Sequence, residues 1–241
     1  MFSLYKKEVQ NFLSTIIGYV FIIIYLITSG LFHWMIPNDA NLLDGSEADL
    51  IPFFNLSPII FLVLIPAITM RSIAEEKRTG TMELLATRPI SSFQILLAKY
   101  LAAVSLFVIS VLPTLIYYFS MSYLGDGNID SGAALTSYMG LILLGSCFVS
   151  IGIFASSISN SQIVAFVLSM FICWFLFYGF QLIGSYGFMG EFDSIIQYCG
   201  ISYHYESIKK GVVDSRDIVY FLSVIYLFFF MALHVIKTSR K

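Results

Sequence analysis

The chain has 241 residues, of which 58% are hydrophobic and only 12% are charged, and its mean hydropathy is +0.85. Soluble domains carry about 25% charged residues, so this composition excludes an ordinary soluble domain and predicts an integral membrane protein. The net charge of −2 indicates little, because the distribution of charge matters more than its sum. The three cysteines have no C-x-x-C or Cys/His ligand spacing, and we interpret them as small apolar residues in packed helices.

The N-terminal segment "FSLYKKEVQNFL" predicts an amphipathic helix over residues 1–11. Its apolar residues recur at steps of three and four, as one face of a helix requires, whereas its two lysines fall elsewhere on the turn. Such a helix lies on the inner leaflet with its lysines near anionic headgroups. A frayed terminus is the alternative interpretation.

Six apolar runs are long enough to cross a bilayer, which takes about 20 helical residues. They must be helical, because lipid offers no partner to unpaired peptide groups. The sequence therefore predicts an all-α integral membrane protein, forming one transmembrane domain over residues 1–241, with kinks at Pro58, Pro66 and Pro113. The predicted spans are residues 12–36, 53–71, 100–123, 133–158, 162–188 and 218–236.

Ten of the thirteen basic residues fall on one side of these spans, before span 1, between spans 2 and 3, and after span 6. Because lysine and arginine are enriched on the cytoplasmic side, both termini are predicted to be cytoplasmic in the inner membrane. The segment 189–217, between spans 5 and 6, also carries basic residues. Placing it inside would conflict with the alternation of sides that six consecutive spans require. We expect it outside, either as a helix that re-enters the outer leaflet or as an ordinary loop.

The segment 72–99 between spans 2 and 3 concentrates polarity and turn signals. Ser72 and Glu75 have capping-box spacing, so a helix is predicted to start or restart there. Gly80 predicts a helix stop. A second short helix is predicted from Thr81 to Thr87, ending before Pro89. Ser91 and Gln94 cap the next helix, which runs into span 3; a well-capped surface loop is the alternative.

"EEKRTGTMELLATRPISSFQILLAKYL" resembles the signature of ABC-2-type transporter permeases. The Ser-rich connection at 154–165 is similar to that of the same family, and the tail from Gly211 resembles gliding-motility-associated permeases of Bacteroidetes. The matching positions of the signature are Glu76, Gly80, Thr81, Glu83, Leu84, Leu85, Pro89 and Lys99.

The resemblance implies that the segment 72–99 is a coupling element for a separate ABC ATPase subunit, present in two copies. This chain has no G-x-x-x-x-G-K-[ST] loop, so ATP with Mg²⁺ is expected on that partner, and no cofactor, metal or nucleic acid is expected on this chain. A second permease, a related chain or a second copy, and membrane lipids complete the implied partners. The coupling residues implied are Glu75, Glu76, Gly80, Thr81, Met82, Glu83, Leu84, Leu85 and Pro89.

The function implied is that of a permease subunit driving export or conformational work at the cell envelope, including gliding motility. A non-transporting anchor of an envelope machine is the first alternative. A membrane-embedded enzyme is the second, but it needs paired acids or a Ser/His or Glu/His constellation at bilayer depth, which the sequence lacks. We therefore expect a non-catalytic subunit.

Span 5 contains the candidates for lining a transport pathway, Tyr178, Gln181 and Ser185, although lipid-facing packing is the alternative. Span 4 carries small residues that permit close helix approach, and we expect them to pack within the monomer. His33 and His234 are predicted to play plain interfacial roles, and His204 is interpreted as solitary.

Overall fold

The computed structural model describes residues 2–43, 49–81, 91–126, 129–185 and 192–239, and every regular element in these ranges is helical. The helices are α1 Phe2–Ser14, α2 Ile16–Trp34, α3 Ile51–Thr69, α4 Arg71–Arg78, α5 Ser92–Val111, α6 Leu115–Leu124, α7 Ser131–Ile158, α8 Gln162–Trp174, α9 Phe180–Ser185, α10 Phe192–Tyr198, α11 Ile201–Lys209 and α12 Ser215–Ser239. A 3₁₀ turn, Leu112–Thr114, joins α5 to α6, and a π-helical turn, Phe175–Gly179, joins α8 to α9.

Within the described ranges, six helical stretches are long and apolar enough to span a membrane, which confirms the predicted all-α fold with six spans. Spans 2, 3 and 5 each combine consecutive helices, and Pro113 lies in the 3₁₀ turn that interrupts span 3. The spans are Ile16–Trp34, Ile51–Arg78, Ser92–Leu124, Ser131–Ile158, Gln162–Ser185 and Ser215–Thr238.

The N-terminal helix is longer, and span 1 shorter, than the sequence predicted. α1 continues to Ser14, and the chain bends at Thr15, whose backbone is extended. Gly18 permits this bend, because an added Cβ would lie only 2.1 Å from the carbonyl oxygen of Phe12. The apolar residues Phe12 and Leu13 resemble the start of a span in the sequence, but they belong to the surface helix.

Span 4 forms the centre of the bundle. In its most apolar window 83% of residues are buried, compared with 22–28% in spans 1, 5 and 6. Gly145 packs against the ring of Phe107 in span 3, and Gly152 packs against Thr69 at the end of span 2. The small residues of span 4 therefore pack within the monomer, as predicted.

Helix α11 packs against the end of the bundle where spans 2 and 4 begin. The Tyr205 hydroxyl donates to the carbonyl of Phe54 at 2.9 Å, and Ser137 Oγ donates to the carbonyl of Lys209 at 2.7 Å. Ile208 fills the space above Gly140. α4 packs instead against the last turns of span 4, so the two elements lie at opposite ends of the bundle. Which end faces the cytoplasm stays a prediction.

Candidate functional site

α4 is the described part of the predicted coupling element, and it does not start at a capping box. It begins at Arg71, directly after Met70, whose backbone is itself helical, with no side-chain cap. A helix therefore restarts within one residue of the predicted position, but the predicted capping box of Ser72 and Glu75 is not formed. The chain bends between α3 and α4, and a serine of span 4 accepts hydrogen bonds from the amides that a cap at Ser72 would serve.

Ser156 in span 4 closes this bend. Its Oγ accepts hydrogen bonds from the amides of Ile73 and Ala74, both at 3.0 Å, and donates to the carbonyl of Met70 at 2.9 Å. Ile73 and Ala74 are completely buried, so their amides have no access to water as an alternative partner. One hydroxyl thus satisfies three backbone groups and fixes the direction in which α4 leaves α3 within span 2.

A second contact ties α4 to the end of span 4. Lys77 Nζ donates to the carbonyl of Ser157, in the last turn of α7. Carbonyl groups at a helix C-terminus lack intrahelical partners and carry partial negative charge, so a lysine stabilises them.

The third contact is an ion-pair cluster centred on Lys99. Lys99 lies in the second turn of span 3 and only 4% of its side chain is exposed. Its Nζ lies 2.6 Å from Glu76 Oε1 on α4 and 3.4 Å from Glu8 Oε1 on α1. The N-terminal surface helix, α4 and span 3 therefore meet at one buried cation. A lysine at the start of an apolar run needs an acidic partner, but the sequence alone does not say which one.

A cavity of about 300 Å³ opens beside this cluster, between α1 and α4. Its polar lining includes Glu8, Asn11, Arg71, Glu75, Glu76 and Lys99. α1 is held over span 3 by a further hydrogen bond, 2.8 Å long, between the Tyr5 hydroxyl and Ser105 Oγ.

The far end of α4 is exposed. Glu75 and Arg78 form a surface ion pair of 3.7 Å, and Thr79, Gly80 and Thr81 lie open to solvent. Gly80 has φ +71°, which confirms the predicted helix stop, because a left-handed backbone favours glycine. The predicted helix over Thr81–Thr87, with the contact residues Met82, Glu83, Leu84, Leu85 and Pro89, lies outside the described residues from Met82 onward.

The chain resumes at Ser91, where the predicted capping box is confirmed. Ser91 Oγ accepts from the Gln94 amide at 3.2 Å, and the Ser91 amide donates to Gln94 Oε1 at 3.3 Å. This cap sets the start of span 3, two turns before Lys99.

The predicted pathway residues of span 5 differ in burial and in their hydrogen-bond partners. Tyr178 is half-buried and packs edge-on against Phe177, whereas Gln181 and Ser185 are exposed. Gln181 Oε1 accepts from Ser202 Oγ at 3.2 Å, and Ser185 Oγ donates within its own helix to Leu182. Gln181 lines a cavity beside α11.

Two histidines differ from their predicted roles. His204 is not solitary, because its Nδ1 lies 2.7 Å from Asp217 Oδ1 and its Nε2 lies 2.9 Å from the carbonyl of Tyr198. Its ring also stacks on Tyr220, with 3.9 Å between the ring centroids. His204 therefore holds α11 against the start of span 6. His33 is buried and bonds to the carbonyl of Ser29 instead of lying at the interface, whereas His234 is exposed near the end of span 6.

The architecture is that of a multi-pass membrane protein with a surface helix, α1, and a short helical arm, α4, which is bonded to the bundle. Residues 2–209 match the sequence profile described as ABC-2 family transporter protein. The chain therefore belongs to the ABC-2 family of transporter proteins. A comparison with curated proteins finds no match for the chain. Family membership and the six apolar helices support a membrane permease subunit.

Proposed function

We propose that the chain is the permease subunit of an ABC transporter and that a separate ATPase subunit, which binds ATP and Mg²⁺, docks on the end of α4 and on residues 82–90. The observation that carries this proposal is the fastening of α4. Ser156 and Lys77 hold it to span 4, and Glu76 holds it to Lys99 of span 3, while its far end stays exposed.

An arm held in this way transmits force. α4 continues span 2 and is bonded to spans 3 and 4, so a push on its exposed end tilts all three spans together. A slack loop would absorb the same movement, because packed side chains, hydrogen bonds and rigid helices are the groups that carry coupling between distant sites.

The proposed docking residues divide into two groups. Glu75, Gly80 and Thr81 lie on the accessible side of α4 or just beyond it, followed by Met82, Glu83, Leu84, Leu85 and Pro89, which together suit a helix-in-groove contact. Glu76 already has Lys99 as a partner, so we propose that it holds the arm in place and contacts the ATPase less than its neighbours do.

A second permease is part of the proposal. Six spans are few to enclose a pathway, and spans 1 and 5 are among the least buried in the monomer, which supports a partner against them. Tyr178, Gln181 and Ser185 remain our candidates for lining the pathway. The resemblance of the tail supports the narrower proposal that the complex works in gliding motility. Purification of the intact complex and identification of its subunits tests both the second permease and the role in gliding motility.

ATP hydrolysis by the reconstituted complex tests the coupling proposal. The double variant Gly80→Pro with Glu83→Lys changes the stop and the central carboxylate of the proposed docking element. We expect the ATPase subunit to lose its stimulation by the permease. The matched control is Asp39→Lys, a charge reversal on an exposed residue at the opposite end of the bundle, which should keep full stimulation.

If the double variant hydrolyses ATP at an unchanged rate with the ATPase subunit still bound, the proposal that α4 couples the ATPase to the spans is contradicted. Normal stimulation in the unmodified complex without movement of any cargo favours the alternative of a non-transporting anchor.

A further inference from the structure

A polar cavity of about 570 Å³ lies at the end of the bundle opposite α4. It opens between the last turn of span 5, the helices α10 and α11, and the first turn of span 6. Span 5 ends at Ser185 and span 6 begins at Ser215, so the cavity sits where the apolar spans meet the polar segment. We expect that position to lie near the boundary between lipid and water, because apolar spans end where the hydrocarbon core ends.

Two charged residues of the cavity lack a counter-ion. Arg216 and Asp214 are both exposed, and neither forms an ion pair with any part of the chain that the structure describes. Asp214 Oδ1 accepts only from the Arg216 amide, at 2.9 Å, and more weakly from Ser215 Oγ, at 3.5 Å. The carboxylate therefore caps span 6 but keeps its charge uncompensated.

The other charged side chains of the cavity are already paired. Glu206 lies 3.6 Å from Lys210 and 2.6 Å from the buried Lys209, and Asp217 is bound to His204. Among the described residues, the cavity thus offers one cation and one carboxylate without an ion-pair partner, two positions apart in the chain.

The surroundings of the cavity suit an amphiphile. Tyr198 and Tyr203 are exposed at the cavity, with ring centroids 4.4 Å apart, and tyrosine favours the membrane interface. On the neighbouring turns of spans 5 and 6, exposed apolar side chains continue toward the membrane interior: Leu182, Ile183, Val219 and Leu222. Acyl chains therefore have an apolar surface that leads away from the polar cavity.

We propose that this cavity binds the headgroup of a zwitterionic phospholipid with a primary ammonium group, with its phosphate on Arg216 and its ammonium on Asp214. The guanidinium fork matches phosphate oxygens, and an ammonium donates hydrogen bonds to a carboxylate. A trimethylammonium group has no N–H to donate, an anionic headgroup leaves Asp214 unpaired, and a neutral sugar leaves both charges unpaired. This site is independent of the ATPase and of the compound transported.

Lipid retention by the purified chain tests the site. The protein in detergent is mixed with equal amounts of phosphatidylethanolamine, phosphatidylcholine and phosphatidylglycerol, and bound lipid is counted by native mass spectrometry. We expect phosphatidylethanolamine to be retained at least about threefold over each of the others. Arg216→Gln and Asp214→Asn should each remove this preference; asparagine keeps the helix cap.

Lys237→Gln and Asp39→Asn are the matched controls, because they remove one exposed charge of each sign away from the cavity. Both should keep the preference. Equal retention of phosphatidylethanolamine and phosphatidylcholine by the unmodified chain overturns the proposal, as does an unchanged preference in both cavity variants. Soluble phosphoethanolamine is added at the same concentration as the lipid. If it displaces the lipid completely, the cavity binds the soluble compound, and the proposal that a phospholipid supplies the headgroup is overturned.

Discussion

Glu76 on α4 and Lys99 in span 3 form a 2.6 Å ion pair, although 22 residues separate them in the chain. Glu8 of the N-terminal helix completes the cluster at 3.4 Å. The pair sits where the proposed coupling arm meets the bundle. It joins the surface helix, the arm and span 3 through one buried ammonium group.

Lys99→Met should destabilise the protein strongly, because it leaves two carboxylates facing each other without their cation. Removing one member of a buried ion pair costs about 3–5 kcal/mol, and we expect the lower end because Glu8 and Glu76 are 15% and 21% exposed. Thermal melting in detergent measures the effect. Adding Glu76→Gln to Lys99→Met should recover part of the loss; no recovery would show that the pair contributes no coupling energy.

Ser156→Ala should loosen the bend between α3 and α4. The amides of Ile73 and Ala74 lose their acceptor, at about 1–3 kcal/mol for each unsatisfied buried group. Hydrogen exchange of these two amides should become faster than in the unmodified chain. Ser157→Ala is the control, because Ser157 Oγ donates to the Phe154 carbonyl within its own helix, and it should leave both amides protected.

Gly152→Ala should destabilise the packing of span 4 on span 2. The added Cβ would lie 2.0 Å from Thr69 Oγ1, and overpacking of this kind costs about 1–3 kcal/mol. Melting temperature measures the loss, and adding Thr69→Ala should relieve part of it. Gly30→Ala serves as control, since its Cβ would meet the Tyr117 hydroxyl at an ordinary 3.7 Å. Equal melting of the two alanine variants would contradict close packing at Gly152.

Tyr205→Phe should cost about 1 kcal/mol at neutral pH, through loss of the hydrogen bond to the Phe54 carbonyl. Burial raises the pKa of Tyr205 well above its ordinary value. The folded state therefore holds this proton more tightly than the unfolded state, so the stabilisation is present below about pH 10 and is lost as pH rises further.

Alkaline unfolding followed from pH 8 to 12 checks the second part of this prediction. The phenylalanine variant should lose less stability over that range than the unmodified chain, so the difference between the two should narrow as pH rises. A difference that stays constant up to pH 12 would mean that Tyr205 does not titrate with unfolding.

Much of the fold could be predicted from local patterns. Six apolar runs define six helices, since a helix is the one local structure that satisfies all its own peptide groups in lipid. The helix stop at Gly80 and the helix cap at Ser91 could also be predicted from the sequence, because both depend on residues within one turn. The end of α1 was misplaced because apolar residues continue across the bend at Thr15.

The candidate site was only partly predictable. A motif resemblance pointed to the segment from Glu75 to Pro89 and to Lys99. The predicted capping box at Ser72 is absent, because Ser156, from a distant span, accepts from the amides that a cap would serve. The partners of His33 and His204 were missed in the same way. His33 is buried by the packing of neighbouring spans, and Asp217 meets His204 across the turn between α11 and α12.

By itself, the sequence determined the membrane class, the number of spans and the polar segments between them. These follow from hydropathy and from helix signals that act over one or two turns. Only the tertiary structure decided which side chain pairs with which buried charge or amide. Lys99 pairs with Glu8 and Glu76, and Ser156 accepts from the amides of Ile73 and Ala74. Such pairings depend on how helices far apart in the chain cross in space, and no local pattern of residues specifies that geometry.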